Sequence, residues 1–182
     1  MAHSAPTHPV DLARPLDGFS QCHAEILGQL QSFASLPTLV VLAEQSRAVA
    51  ATTLALFEDT VLTHHADEER DLFAAVSQSA RPGQEHEHVQ ALVRQLTEQH
   101  RLIEARWKAL RRGVKSAASG QPAALEAGEV AEFVQIYTTH AGLEEREFLP
   151  LAQEILGRDS NHMAALGISL HLRHVPIPVG HI

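Results

Sequence analysis

Two short stretches of this chain pair a histidine with a glutamate four residues on: His64-His65-Ala66-Asp67-Glu68 and His140-Ala141-Gly142-Leu143-Glu144. On an α-helix that spacing stacks the two side chains on one face. The neighbours indicate which face. Seven residues before His140 stands Phe133 and eight after it Phe148, and the same steps from His64 reach Phe57 and Leu72. Both pairs are therefore expected on the apolar, inward stripe of their helices. A lone carboxylate is very costly to bury. Two buried carboxylates among inward histidines call for a cation, and a metal ion supplies it most directly.

The elements that must position these groups read as four long helices. A first helix is expected from Pro15 to about Ala34, with Asp17 as its N-cap, and Leu36-Pro37 interrupts it. The second runs from about Thr38 to Gln78, and Pro82-Gly83 marks the central loop. The third spans roughly Glu85 to Ala117 and the fourth roughly Ala123 to Leu156. A short fifth helix is expected from Asn161 to about His174.

The halves repeat. Around His23, apolar residues stand at −7, −4, +3, +7 and +10 (Leu16, Phe19, Ile26, Leu30, Phe33), and the same offsets from His100 give Val93, Leu96, Ile103, Trp107 and Leu110. The second histidine follows 41 residues after His23 and 40 after His100. Each half is then a helical hairpin delivering two histidines and one glutamate at one depth. Two such hairpins make an all-α, up-down-up-down four-helix bundle, an architecture that holds metals between facing helices. The expected organisation is a tail over residues 1–14, the bundle over 15–157, and a C-terminal helix and tail over 158–182.

Composition narrows the class. A formal net charge of −8 disfavours nucleic acid and anionic membrane as partners, since both select basic surfaces. A single cysteine, Cys22, allows no internal disulfide and fits a reducing, cytoplasmic setting. The first residues lack the basic start and apolar block of a signal peptide, and no apolar run is expected to approach membrane-spanning length. Of thirteen histidines, His23, His64, His100 and His140 carry the argument. The others, His65, His86 and His88 among them, are read as solvated.

If His23, His64, Glu68, His100, His140 and Glu144 converge, four imidazoles and two carboxylates suit a pair of first-row transition ions better than calcium or magnesium. Bridging glutamates would give each ion two histidines, two carboxylate oxygens and a shared oxide or hydroxide. Two iron ions are the expected occupants, with zinc and manganese compatible by ligand type. An open position on such a centre suits a small ligand such as dioxygen or nitric oxide.

These residues resemble the hemerythrin-like (HHE cation-binding) proteins over roughly Pro15 to Leu156. The anchors are Cys22-His23 and Gln99-His100, each with Ile three residues after the histidine, His64-xxx-Glu68 before Leu-Phe, and His140-xxx-Glu144 before Phe-Leu-Pro. The resemblance implies a bundle around a non-haem di-iron centre, and a protein that carries or stores oxygen, senses oxygen or iron, or responds to nitric oxide and oxidative stress. The chain departs from the oxygen carriers twice. Leu96 stands where they have a second histidine, and Glu144 lies at +4 from its histidine where they have an aspartate at +5, the place of Glu145 here. Those departures favour sensing, storage or a redox role over reversible carriage.

Other groups are assigned lesser parts. Glu69 and Glu145 are expected to face solvent or to hydrogen-bond a ligand rather than bind metal. Glu104 is a weaker stand-in for the missing histidine, and Tyr137 and Trp107 read as core aromatics. The rival functions are a di-iron oxidase or peroxidase and a metal-free helical interaction module. Enzymes of the first kind use Glu-x-x-His on two helices, and here only Glu85-x-x-His88 has that form, off the apolar stripe. A binding or sensing protein is the expectation rather than an enzyme. A homodimer stays open.

Overall fold

The computed structural model describes residues 15–158, and side chains from residue 21. The described residues are helical with no strand among them: α1 Pro15–Ala55, α2 Leu62–Asp67, α3 Phe73–Ser79, α4 Gln84–Ala118, α5 Ala127–Leu143 and α6 Leu149–Leu156. Three π-helical turns, Leu56–Val61, Glu68–Leu72 and Glu144–Phe148, join successive α segments without a break. The expected fifth helix and both tails lie outside the described residues.

The chain divides into two compact units, Met1–Ser46 and Arg47–Ile182. In the first, α1 carries Cys22 and His23, both exposed. The helix does not stop at Leu36-Pro37, as the sequence led us to expect, but continues with Pro37 inside it. A second expectation needs correcting with it. The helical run Gln21–Ser79 contains an 18-residue window of mean hydropathy 1.5, so one helix is apolar and long enough to cross a membrane by length and composition. Reading Pro37 as a break had split that apolar stretch into two short pieces. Bundle helices meet the same two criteria.

In the second unit, the chain reverses after α3 through Ala80–Gly83, where Gly83 adopts φ +99°, a conformation that favours glycine. α4 then packs against α3 and α5, and α3 against α6. The last long helical segment begins at Ala127 rather than about Ala123. The residues before it cross α4 at Gly113, where a Cβ would lie 2.5 Å from the Ala124 carbonyl oxygen, and Leu125 packs into the core.

Two apolar clusters fill this unit. One gathers Leu72, Phe73, Val76, Leu96, Phe148 and Ile155 with their neighbours, the other Phe57, Val61, Ile103, Trp107, Leu110 and Phe133. The positions flanking both motifs, Phe57, Leu72, Phe133 and Phe148, are all buried as their spacing predicts. His64, His65 and Glu68, then His100, then His140 stand between the two clusters in sequence on their helices, and Glu144 directly follows Leu143 of the first cluster.

Candidate metal centre

Both motif glutamates open a π-helical turn, Glu68–Leu72 in one half and Glu144–Phe148 in the other. Such turns concentrate at functional sites because the extra residue re-aims side chains that a regular helix would carry past. Here they deliver two carboxylates into the interior: Glu68 and Glu144 are 6 % and 8 % exposed, beside His100 and His140 at 0 % and 1 %. One ligand atom from each of these four residues lies within 4.8 Å of every other.

The hydrogen bonds fix which atoms face inward. His100 Nδ1 donates to Glu69 Oε1 at 2.9 Å, and Glu69 Oε2 accepts from Arg101 at 2.6 Å. His140 Nδ1 donates to the Gln99 side-chain oxygen at 3.1 Å. With both protons committed at Nδ1, each Nε2 presents a lone pair to the interior. Those two nitrogens, Glu68 Oε2 and Glu144 Oε1 are buried without a hydrogen-bond partner. Their separations are 3.5 Å from His100 Nε2 to Glu68 Oε2, 3.9 Å from His100 Nε2 to Glu144 Oε1, and 3.5 Å from His140 Nε2 to Glu144 Oε1. Donor atoms each about 2.1 Å from a shared ion stand about 3.0–3.4 Å apart at right-angled or tetrahedral geometry. The spacing is close to that of a coordination shell and too wide for hydrogen bonds.

The electrostatics agree. Burial first, then the facing Glu144 carboxylate, pushes Glu68 up to about 8. Burial likewise pushes Glu144 up to about 7. Burial pulls His140 down to about 4, with His100 adding to the shift, and lowers His100 against the opposing pull of Glu69. The imidazoles are thus neutral and ready to bind a cation, while the carboxylates resist ionising without one.

The sequence pattern of the hemerythrin HHE cation-binding domain matches residues 14–152. The chain belongs to the hemerythrin HHE cation-binding family. An uncharacterized protein of Haemophilus influenzae is 25 % identical over 158 residues, which is 83 % of this chain and 88 % of that one. No solved structure matches the chain. Family membership and the buried His/Glu cluster together make this a cation-binding helical domain with a site able to hold a metal.

Of the six ligands expected from the sequence, Glu68, His100, His140 and Glu144 come together. His64 lies at the margin, its side chain 38 % exposed and its Nε2 3.3 Å from Glu68 Oε1. It also lines an apolar cavity of about 400 Å³ with Phe57, Val61, Trp107, Phe133 and Tyr137. His23 belongs to the first unit, and the four-residue cluster to the second.

His65 corrects the sequence reading: expected to be solvated, it is fully buried. The π-helical turn Leu56–Val61 explains the slip, since an added residue shifts the inward position from 64 toward 65 in the following turn. His86 and His88 are exposed, as expected. Glu145 is exposed, and Glu104 is half-buried with its Oε1 3.3 Å from Arg101. Tyr137 is half-buried, its ring edge-on to His140 at 6.0 Å. Trp107 packs flat against Phe57 in the core, centroids 4.3 Å apart.

Sequence reasoning gave no part to Gln99 beyond its place in a motif, and left Glu69 between solvent and a supporting bond. Both orient a histidine. Removing such a partner costs metal sites about 10–100-fold in affinity. Glu69→Ala should therefore weaken metal binding by about that factor while taking away no ligand. Chelator competition measures it, with Glu129→Ala, at an exposed position away from the cluster, as the neutral control. Equal affinity in Glu69→Ala and wild type would mean that the His100 ring needs no such anchor.

Proposed function

We propose that this protein is a non-haem di-iron protein that binds or senses a small molecule or a metal: oxygen, nitric oxide or another oxidative signal, or iron itself. The observation that carries the proposal is the convergence of four buried, unpartnered donor atoms, two imidazole nitrogens and two carboxylate oxygens, in one polar layer between apolar clusters. An unpaired buried polar atom costs about 1–3 kcal/mol, so four together form a site only if a cation compensates them. Two imidazoles and two carboxylates suit iron, and zinc or manganese by the same ligand types.

The full ligand set in this reading is His23, His64, Glu68, His100, His140 and Glu144. Convergence supports four of them, the 3.3 Å approach of His64 to Glu68 supports a fifth, and the internal repeat supports His23. The corresponding architecture is an up-down-up-down bundle in which residues 16–33 supply the first helix; the matching apolar offsets around His23 and His100 support it, and it requires the chain to reverse near Pro37, where α1 is continuous. Bound iron would supply redox chemistry and a position for a diatomic ligand. The chain's own part is to hold the imidazoles neutral through Glu69 and Gln99, to set the two carboxylates face to face, and to keep water out with Leu96, Ile103 and Phe148, each fully buried. The apolar cavity beside His64 and Tyr137 suits a small uncharged ligand better than a charged one. The lone cysteine, which allows no internal disulfide, fits a cytoplasmic location.

The test is to purify the full chain anaerobically, without a histidine tag, and to measure iron per chain before recording its absorption on adding oxygen or nitric oxide. Close to two irons with a spectral response supports the proposal. Substoichiometric metal with undiminished thermal stability would instead make the chain a metal-free helical module, and sustained peroxide turnover would make it an enzyme.

A further inference from the structure

The apolar cavity of the second unit is open to solvent along one side. Its walls come from residues 53–64 and, on α5, residues 130–138, with Trp107 and Leu110 of α4 completing the lining. The wall residues Leu56, Val130 and Val134 are all exposed. The first unit has the converse feature. Ile26, Leu30 and Phe33, which follow His23 on one stripe of α1, are exposed as well. An apolar groove and an apolar helix face of this size both call for cover.

Their registers match. α4 packs against α5. The apolar residues at +3, +7 and +10 from His100 (Ile103, Trp107, Leu110) meet apolar residues at −3, −7 and −10 from His140 (Tyr137, Phe133, Val130). Opposite signs are what antiparallel neighbours in a bundle require. The first half repeats the arrangement: Ile26, Leu30 and Phe33 stand at +3, +7 and +10 from His23, and Val61, Phe57 and Leu54 at −3, −7 and −10 from His64. Val61 and Phe57 line the cavity. The groove is thus built to seat a helix with the stripe of residues 23–33. The same copy cannot supply it. Gln21–Ser79 is one helical run, so stripe and wall are successive parts of a single helix, and a helix cannot lie alongside its own continuation.

We propose that the protein is a reciprocal dimer in which residues 16–33 of each copy fill the groove of the other. The His23 at each metal site then comes from the second copy. That role of His23 rests on the metal-centre reading above, whereas the docking stands on the apolar registers alone. The exchange keeps the four-helix bundle and removes its need for a reversal near Pro37, and such swapping is a low-cost route to a closed two-fold dimer. The area suffices. Three exposed side chains on the stripe and three on the walls hide on the order of 100 Å² each, in two equivalent seats. The total of about 1,200 Å² reaches the size of a stable interface before the rest of α1 is counted.

Cys22, the lone cysteine and the neighbour of His23, allows a test that uses no metal. Thr60→Cys and Thr138→Cys place a second thiol on opposite walls of the groove. Light scattering of the metal-depleted full-length wild type should give twice the mass of one chain. A short bis-maleimide should then link at least one of the two variants into a covalent dimer on a denaturing gel, with the wild-type helical circular-dichroism signal retained. Adding Cys22→Ser should abolish the link. A monomeric wild type, or a link formed within one chain, would overturn the inference. So would a dimer in which neither wall variant links, since its interface would lie elsewhere. Wild type that floats with phosphatidylcholine vesicles instead of dimerising would give the apolar face to a membrane and overturn it too. Failure here leaves the metal centre standing, and an iron-free wild type, which brings down the centre, leaves this result intact.

Discussion

His140→Ala should lose at least half of the iron bound per chain and weaken what remains by more than 100-fold, a larger loss than removing a supporting partner produces. The side chain is 1 % exposed, and it is held from both sides. Gln99 accepts from Nδ1 at 3.1 Å, and Nε2 stands 3.5 Å from Glu144 Oε1. Truncation removes a donor from the shell and orphans the Gln99 amide oxygen. It also leaves Glu144 facing Glu68 with one neutralising route fewer. Each effect opposes binding. His86→Ala supplies the contrast, because His86 is exposed on the first turn of α4. It should keep the wild-type iron content. Elemental analysis of the two variants, purified side by side, reads the difference. Equal iron loss in both would show that the histidines bind metal adventitiously and that the buried cluster is not the site.

How far the site could be read in advance depended on how regular each helix is. Phe57, Leu72, Phe133 and Phe148 are buried where a 3.6-residue period puts them. So are Leu96, His100, Ile103, Trp107 and Leu110 on α4, a helix with no π-helical turn. The same period failed at His64 and His65. Both registers of that doubled motif place a histidine four residues before a glutamate, so composition cannot choose between them. The π-helical turn at Leu56–Val61 makes the choice, and the sequence carries no glycine or proline to announce it.

Pro37 misled in the opposite direction. Proline disfavours a helix interior strongly, yet α1 continues past it. The supporting bonds from Glu69 and Gln99 were illegible for another reason. Glu69 reaches His100 across 31 positions and Gln99 reaches His140 across 41, so the pairing exists only once the helices are side by side.

The second large effect is a pH dependence that metal should abolish. In the metal-free protein, burial pushes Glu68 up to about 8 and Glu144 to about 7, against 4.5 in the unfolded chain. Between those values the folded state holds protons that the unfolded state has released. Stability must therefore fall as pH rises through that range. The buried histidines act with the opposite sign: His65 and His140, lowered to about 3 and about 4 from 6.5, make stability rise with pH until 6.5, where their effect is complete. The two trends offset each other below pH 6.5, and above it only the carboxylates remain. From pH 6.5 to 8.5 the metal-free protein should lose on the order of 1–2 kcal/mol, or about 2–8 °C in Tm. With metal bound the carboxylates are already ionised, so the decline should vanish, and metal uptake at pH 7 should release protons, seen as buffer-dependent heats in calorimetry.

Glu68→Gln separates this origin from any other. It removes the buried acid whose ionisation is most disfavoured and keeps its shape. The variant should bind less iron than wild type and yet, without metal, melt at a higher temperature at pH 8. A variant that lost iron and stability together at that pH would place the cost of the site in its packing. A gain in stability alongside the loss of metal would show that the interior accepts two carboxylates for the sake of the ions they hold.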